Sequence, residues 1–162
     1  MGSNPTLCTL EDGAKMTTKH PERAVGLFDS GFNCAEAVLL ALSKESGQKA
    51  TLIPCIATGF GGGVGRSGGI CGALSGAVMA IGLQIGCDKA EEKEKRNTAC
   101  ENVQRMIEAF EKEFGSTQCK ALTQCDLQTL KGQEKYRSKE LRKSVCPKFV
   151  AWCAEYVAKK SR

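Results

Sequence analysis

The strongest constraint on the fold is a glycine-rich run at residues 59–69, in which seven of eleven residues are glycine. Glycine inside a helix or strand carries a large entropic cost, so the run predicts a loop with special backbone geometry. An uncharged segment, 70–86, follows it and is rich in Gly and Ala. We therefore predict a central buried helix whose small side chains let neighbours, or a cofactor, approach its backbone.

The other apolar residues recur at helical spacing. The longest helix has the inner face Ala99, Val103, Met106, Ile107, Phe110 and Phe114. The last helix, from Pro147, turns inward Phe149, Val150, Cys153 and either Tyr156 or Val157. No segment shows the alternation of a strand. The fold class is therefore predicted as all-α: a compact single-domain bundle of about five or six helices, with the Gly-rich loop before the central small-residue helix.

Capping residues set the predicted boundaries. The first helix runs from about Pro21 to Asp29, and Asn33 opens the second in a capping box with Glu36. Ser46-Gly47 ends that helix. The longest helix begins near Asp88 and stops at Gly115, and a short helix and a turn occupy 116–130. Residues 1–16 are predicted as a flexible N-terminal arm, and residues 17–162 as a single helical redox domain.

Composition excludes several functions. His20 is the single histidine, so histidine-based chemistry has little to work with. The net charge of +5 is mild and no aromatic platform interleaves with the basic segment 131–148, which argues against nucleic-acid binding. The uncharged segment is too weakly hydrophobic for a membrane span. The motif Gly63-x-Gly65-x-x-Gly68 lacks the strand that a dinucleotide site requires.

Ten cysteines indicate either a secreted disulfide scaffold or an intracellular thiol or metal protein. The first twenty residues contain no apolar run, so we expect no secretory signal peptide. The amphipathic helices need no disulfides. A reducing, cytoplasmic location is expected.

No C-x-x-C motif occurs, which argues against a zinc ribbon, a thioredoxin-type site or a bacterial ferredoxin loop. Four cysteines instead lie at predicted helix starts, where unpaired N–H groups and the helix dipole favour a thiolate: Cys34, Cys71, Cys119 and Cys146. Cys71, after the glycine loop, is expected to be the most acidic thiol of the metal-free protein. Four others are interpreted as small buried hydrophobes: Cys55, Cys87, Cys100 and Cys153. Cys8 belongs to the arm, and Cys125 stays unassigned.

Three segments and two further cysteines carry a family resemblance: Phe32-Asn33-Cys34-Ala35-Glu36-Ala37-Val38, Gly59-Phe60-Gly61-Gly62-Gly63, Cys71-Gly72-Ala73-Leu74-Ser75-Gly76, Cys119 and Cys146. They resemble the C_GCAxxG_C_C family of redox-active proteins over roughly residues 20–158. The family's four shared cysteines fall here on Cys34, Cys71, Cys119 and Cys146. The chain is also similar to the iron–sulfur domain of split-Soret cytochromes, in which such cysteines hold a [2Fe–2S] cluster, but it lacks the haem part.

The resemblance implies an electron-transfer protein whose iron–sulfur cluster, [2Fe–2S], is ligated by those four cysteines. Gly72, Ala73 and Gly76 would be its backbone neighbours. A redox partner protein is expected, and Arg66 with segment 131–148 would offer a positive field or a docking face to an acidic partner.

Two alternatives stay open. One is a metal-free dithiol–disulfide oxidoreductase with Cys71 as the attacking thiolate. The other is a structural or storage metal-binding bundle, for example one stabilised by zinc. An enzymatic role, if there is one, would be that of an oxidoreductase, and the oligomeric state stays open, including a homodimer.

Overall fold

The computed structural model describes residues 19–43, 52–138 and 140–160. These ranges contain eight α-helices, one 3-10 helix (Cys55–Phe60) and no strand beyond a single bridge between Ile70 and Gln118. The helices are α1 (Lys19–Asp29), α2 (Cys34–Ser43), α3 (Gly72–Ile85), α4 (Lys93–Phe114), α5 (Cys119–Thr123), α6 (Leu130–Arg137), α7 (Glu140–Ser144) and α8 (Cys146–Lys160). The all-α class is confirmed.

The prediction of five or six helices was too low. The basic segment after residue 130 forms two short helices, α6 and α7, which charge alone did not reveal. Thr129 caps α6, because its side chain accepts a hydrogen bond from the Gly132 N–H at 3.0 Å. Such a cap offsets the missing partners of the first turn.

Helices α2 and α3 form the centre of the bundle, and α1 and α8 pack against α2. The first half of α3 is buried on every side, as its small residues predict. At Gly76 an added Cβ atom would lie 2.5 Å from the Ala35 carbonyl oxygen. This close approach of two helices explains why a residue without a side chain stands there.

An aromatic cluster joins α4 to α8. Phe110 of α4 contacts Phe149 and Trp152 with ring centroids 5.8 and 5.3 Å apart. Met106 and Phe110 are fully buried, and Val103 and Phe114 are half-buried against the core, so these four residues of the predicted inner face are confirmed. Ala99 and Ile107 are half-buried and do not belong to the core cluster.

The predicted boundaries differ at several ends. Helix α4 begins at Lys93 and not near Asp88, because the Glu92 carboxylate accepts from the Asp88 N–H at 2.8 Å and holds residues 88–92 in turns. Gly115 stops α4 in the left-handed conformation, as predicted. The flexible arm at 1–16 and the end of the second helix at Ser46-Gly47 lie outside the described residues.

Among the described helices, none combines the length and the apolar character that crossing a bilayer requires.

Candidate functional site

Four buried cysteines stand at the starts of four helices and line one enclosed cavity. Cys34, Cys119 and Cys146 are the first residues of α2, α5 and α8, and Cys71 is the N-cap of α3. Each keeps only 5–7% of its surface exposed. The structure therefore brings together all four cysteines that the sequence selected.

The cavity between the thiols is small. It measures about 10 Å³, roughly the space of one water molecule. Gly62 and Ala73 supply backbone walls, and Leu122, Thr123, Tyr136 and Phe149 complete the lining.

Cys34 is positioned by a capping box, as predicted. The Asn33 side chain accepts from the N–H groups of Ala35 and Glu36 at 2.9 and 3.0 Å, and the Glu36 carboxylate accepts from the Asn33 N–H at 2.8 Å. Gly72 faces the thiol so closely that an added Cβ would lie 2.5 Å from Cys34 Sγ. The start of α3 thus makes room for the sulfur of α2.

Cys71 and Cys119 are held together by backbone pairing. The Cys71 N–H donates to Thr117 O at 2.8 Å, and the Cys119 N–H donates to Gly69 O at 2.6 Å. These bonds flank the Ile70–Gln118 bridge and tie the end of the glycine loop to the start of α5. Two cysteines 48 residues apart in sequence are thereby placed side by side.

Two residues beside Cys146 were missed by the sequence analysis. The Tyr136 hydroxyl hydrogen-bonds to the Cys146 thiol and, with the positive charge of Arg142, holds the pKa of that thiol lower than burial alone would. Arg142 Nη2 is itself fixed by Phe28 O at 2.6 Å and Phe32 O at 3.2 Å. Tyr136 is the one aromatic residue in the basic segment, which was the available signal.

Burial dominates the electrostatics of the site. Burial, and after it the neighbouring Cys34, raises the pKa of Cys119 to about 11 and that of Cys146 to about 12. Burial also raises the pKa values of Cys34 and Cys71. The expectation that Cys71 is the most acidic thiol was therefore wrong: desolvation outweighs the helix N-terminus.

The effect of the helix starts is nevertheless present. The N–H groups of Ala73 and Leu74 face Cys71, although no side-chain cap hydrogen bond forms there, and those of Gly62 and Ala73 face Cys34. They hold these pKa values below what burial alone would give. The same groups would stabilise negative sulfur once a proton is replaced by a metal.

Two further thiols lie next to these four. Cys153 is fully buried within electrostatic reach of Cys71 and Cys34, and burial raises its pKa well above the ordinary value. Cys125 is buried and its S–H donates to Gly132 O at 2.9 Å. The site thus contains more sulfur than the four predicted residues.

The prediction of buried, hydrophobic roles holds for Cys153 but was wrong for Cys55 and Cys100, which are exposed. Cys87 is half-buried, and its Sγ accepts from Arg96 Nη2 at 3.7 Å. The fact that a residue is a cysteine does not by itself show whether it lies in the core or at the surface.

The other predicted site residues fall at different distances from the thiols. Ala73 lines the cavity and Gly72 contacts Cys34, whereas Gly76 lies against the backbone of Ala35. Arg66 is exposed and lines an outer groove, not the thiol cavity. Arg142 is the arginine whose positive charge acts on one of these thiols, that of Cys146.

The donor chemistry of the cavity suits a thiolate-bound metal centre. Iron–sulfur clusters take four cysteine ligands, and N–H groups facing those sulfurs tune their charge. The nine cysteines in the described ranges are free thiols. In the same ranges no three Cys, His, Asp or Glu side chains are close enough to hold a single metal ion.

Fold and site together define a helical protein with a buried multi-thiol centre. The family model described as "Putative redox-active protein (C_GCAxxG_C_C)" matches residues 32–160, and the chain belongs to this family. The family identified from the sequence is thereby confirmed. Neither a curated protein nor a solved structure shows a significant match to the chain.

Proposed function

We propose that the chain is an electron-transfer protein that binds an iron–sulfur cluster, [2Fe–2S], through Cys34, Cys71, Cys119 and Cys146. One observation carries this proposal: four helix starts direct four buried thiols into one enclosed cavity. The family's redox-active description agrees with it.

A cluster bound there would supply reversible one-electron transfer, and the chain's own residues would tune it. The N–H groups of Gly62, Ala73 and Leu74 face the sulfurs, and Tyr136 donates a hydrogen bond to Cys146. Donated hydrogen bonds and the nearby Arg142 charge favour the more reduced, more negative state. A redox partner protein belongs to the proposal, because a carrier needs a donor and an acceptor.

The four thiols surround a cavity of about 10 Å³, which has room for roughly one water molecule. Neutral thiols pack closely because burial keeps them protonated, as their raised pKa values indicate. A cluster held by these four sulfurs would therefore require the thiols to lose their protons. Uptake is expected to become easier as pH rises, since the thiols then lose protons more readily.

The dithiol–disulfide alternative is less well supported by the site. An attacking thiol works best with a pKa near the ambient pH and with access to its substrate. Cys71 is 5% exposed and burial raises its pKa. The buried thiol is a better ligand than nucleophile.

Anaerobic purification followed by iron, acid-labile sulfide and zinc analysis tests the proposal. We expect about two irons and two sulfides per chain, with visible absorption that bleaches on reduction. Zinc without sulfide would establish the structural metal bundle instead. A metal-free protein that gains and loses two thiols on reduction and oxidation would establish the disulfide alternative.

Serine substitution assigns the ligands. Cys34→Ser, Cys71→Ser, Cys119→Ser and Cys146→Ser should each abolish or shift the visible absorption of the reconstituted protein. Cys100→Ser is the matched control, because Cys100 is exposed on α4 and away from the cavity. A control that damages the chromophore as much as the four would overturn the assignment.

A further inference from the structure

A second, larger cavity lies directly outside the thiol cavity. It is an open groove of about 660 Å³, within the range of sites that bind small molecules. Gly62 and Tyr136 line both the groove and the thiol cavity, so these two residues form a common wall. Whatever occupies the groove lies next to the multi-thiol centre.

The charge of the groove has one sign. Arg66, Arg137 and Arg142 line it, and none of the described lining residues is acidic. Within the described ranges, no carboxylate lies at ion-pair distance from any of these three guanidinium groups. Three arginines at one concave surface, with no counter-ion among the side chains that the structure describes, favour an anion with more than one charged group.

The three arginines come from separate parts of the fold. Arg66 stands in the glycine loop with φ +63°, Arg137 ends α6 and Arg142 lies in α7. Arg142 is pre-positioned by the Phe28 and Phe32 carbonyls and stacks over the Phe28 ring at 4.7 Å. A guanidinium fixed in this way loses little freedom when it binds an anion.

Three other polar side chains that line the groove are already engaged in hydrogen bonds. Asn33 Nδ2 donates to Thr58 O at 3.1 Å, the Thr58 hydroxyl donates to Glu36 at 2.6 Å, and Gln133 Nε2 donates to Leu127 O at 3.0 Å. These bonds give the groove a formed shape and leave the arginines as its available donors. A concave, preformed site suits a small ligand better than the flat face of an acidic protein.

We propose that this groove is a binding site for a small polyanion, one that carries two or more carboxylate or phosphate groups, held by Arg66, Arg137 and Arg142. The proposal goes beyond cluster binding, since it requires no metal at the thiols. It places a ligand of defined charge across Gly62 and Tyr136 from the redox-active centre.

The test uses calorimetric titration of the full-length protein as purified, at constant ionic strength. The probes are inorganic phosphate and tricarballylate, a tricarboxylate that chelates metals weakly, with the neutral trimethyl ester of tricarballylate as the uncharged control. We expect saturable one-to-one binding of tricarballylate, weaker binding of phosphate and none of the ester. Absence of saturable binding by both anions would overturn the proposal.

Matched variants separate a site from general charge attraction. Arg66→Gln and Arg137→Gln change exposed side chains and should each weaken tricarballylate binding roughly tenfold or more. Lys131→Gln removes the same charge from the same helix as Arg137, but Lys131 does not line the groove, so binding should change less than about twofold. Equal weakening by all three variants would overturn the proposal.

Iron and sulfide analysis of the same preparations keeps the two proposals apart. Anion binding with no bound iron would contradict only the proposed electron-transfer function. A cluster-loaded protein that ignores both anions would contradict only the groove.

Discussion

Two groups of cysteines in the same chain differ in almost every physical respect. Six line or adjoin the thiol cavity and are buried: Cys34, Cys71, Cys119, Cys125, Cys146 and Cys153. Cys55 and Cys100 are exposed and Cys87 is half-buried. Because the side chain is the same in both groups, the difference in burial arises from the position of each cysteine in its helix and from how that helix packs.

The comparison shows that a helix start and burial act in opposite directions on a thiol. Four of the six buried cysteines begin helices, where N–H groups favour the thiolate. Their pKa values are nevertheless raised, because desolvation of the charge is the larger effect. The thiols that line the cavity therefore keep their protons at neutral pH, and a bound metal would have to replace them.

The largest expected contrast is in chemical labelling. In the reduced, metal-free protein, iodoacetamide should modify Cys55 and Cys100 first and Cys71 roughly a hundredfold or more slowly, because Cys71 reacts only after the fold opens. Short labelling pulses read out by peptide mass spectrometry give the ratio. Labelling of Cys71 as fast as Cys100 would show that the cavity is open in solution.

The second contrast is in the pH dependence of stability. Unfolded thiols lose protons near pH 9, whereas burial raises the pKa of folded Cys119 from 9.0 to about 11. The stability that this thiol contributes is therefore fully present below pH 9 and is lost between pH 9 and 11, a loss of about 3 kcal/mol.

Urea unfolding of the reduced, metal-free protein at pH 8 and at pH 10.5 measures that loss. Cys119→Ala should reduce the dependence on pH, whereas Cys100→Ala, on the exposed face of α4, should keep it. If stability depends on pH equally in both variants, Cys119 is not the source of that dependence.

The third contrast lies between two glycines of α3. Gly72→Ala would place a Cβ 2.5 Å from Cys34 Sγ and 2.9 Å from Phe60 O, so it should cost about 1–3 kcal/mol and speed the labelling of Cys34. Gly82→Ala is the control in the same helix: no atom lies within 4 Å of the new Cβ, and stability should rise by up to about 1 kcal/mol. The midpoints of urea unfolding measure both changes in stability. If Gly72→Ala leaves the stability unchanged, α3 moves freely relative to Cys34.

The smallest expected effect concerns the hydrogen bond at Cys146. Tyr136→Phe removes its donor and should cost about 1 kcal/mol in the metal-free protein. In the cluster-loaded form the same variant should lower the reduction potential, because a hydrogen bond to sulfur is lost. Tyr156→Phe, in the stack with Trp152, is the control and should leave the potential unchanged.

The sequence predicted the class of fold and the four converging cysteines because both depend on local signals. Apolar spacing defined α4 and α8, and the Asn33 and Glu36 pair defined the start of α2. Helix starts could be located cysteine by cysteine without knowledge of the packing. Ligand assignment stays a prediction for the experiments above.

Long-range features were beyond the sequence. The positions of Tyr136 and Arg142 depend on how α6 and α7 fold back towards α1 and α2, and the exposure of Cys55 and Cys100 depends on which faces find a neighbour. The pKa of Cys71 is raised because the thiol is buried, and no local sequence pattern predicts that burial. Packing decided each of these cases.

The arrangement of the four thiols also has a consequence for chain topology. Successive members of the set Cys34, Cys71, Cys119 and Cys146 are separated by 37, 48 and 27 residues. A group bound by all four sulfurs closes three loops at once, and each closed loop of this size removes roughly 3–5 kcal/mol of freedom from an unfolded chain. Most of the polypeptide must be in place before the last sulfur arrives, so occupancy of the centre reports the integrity of the whole bundle.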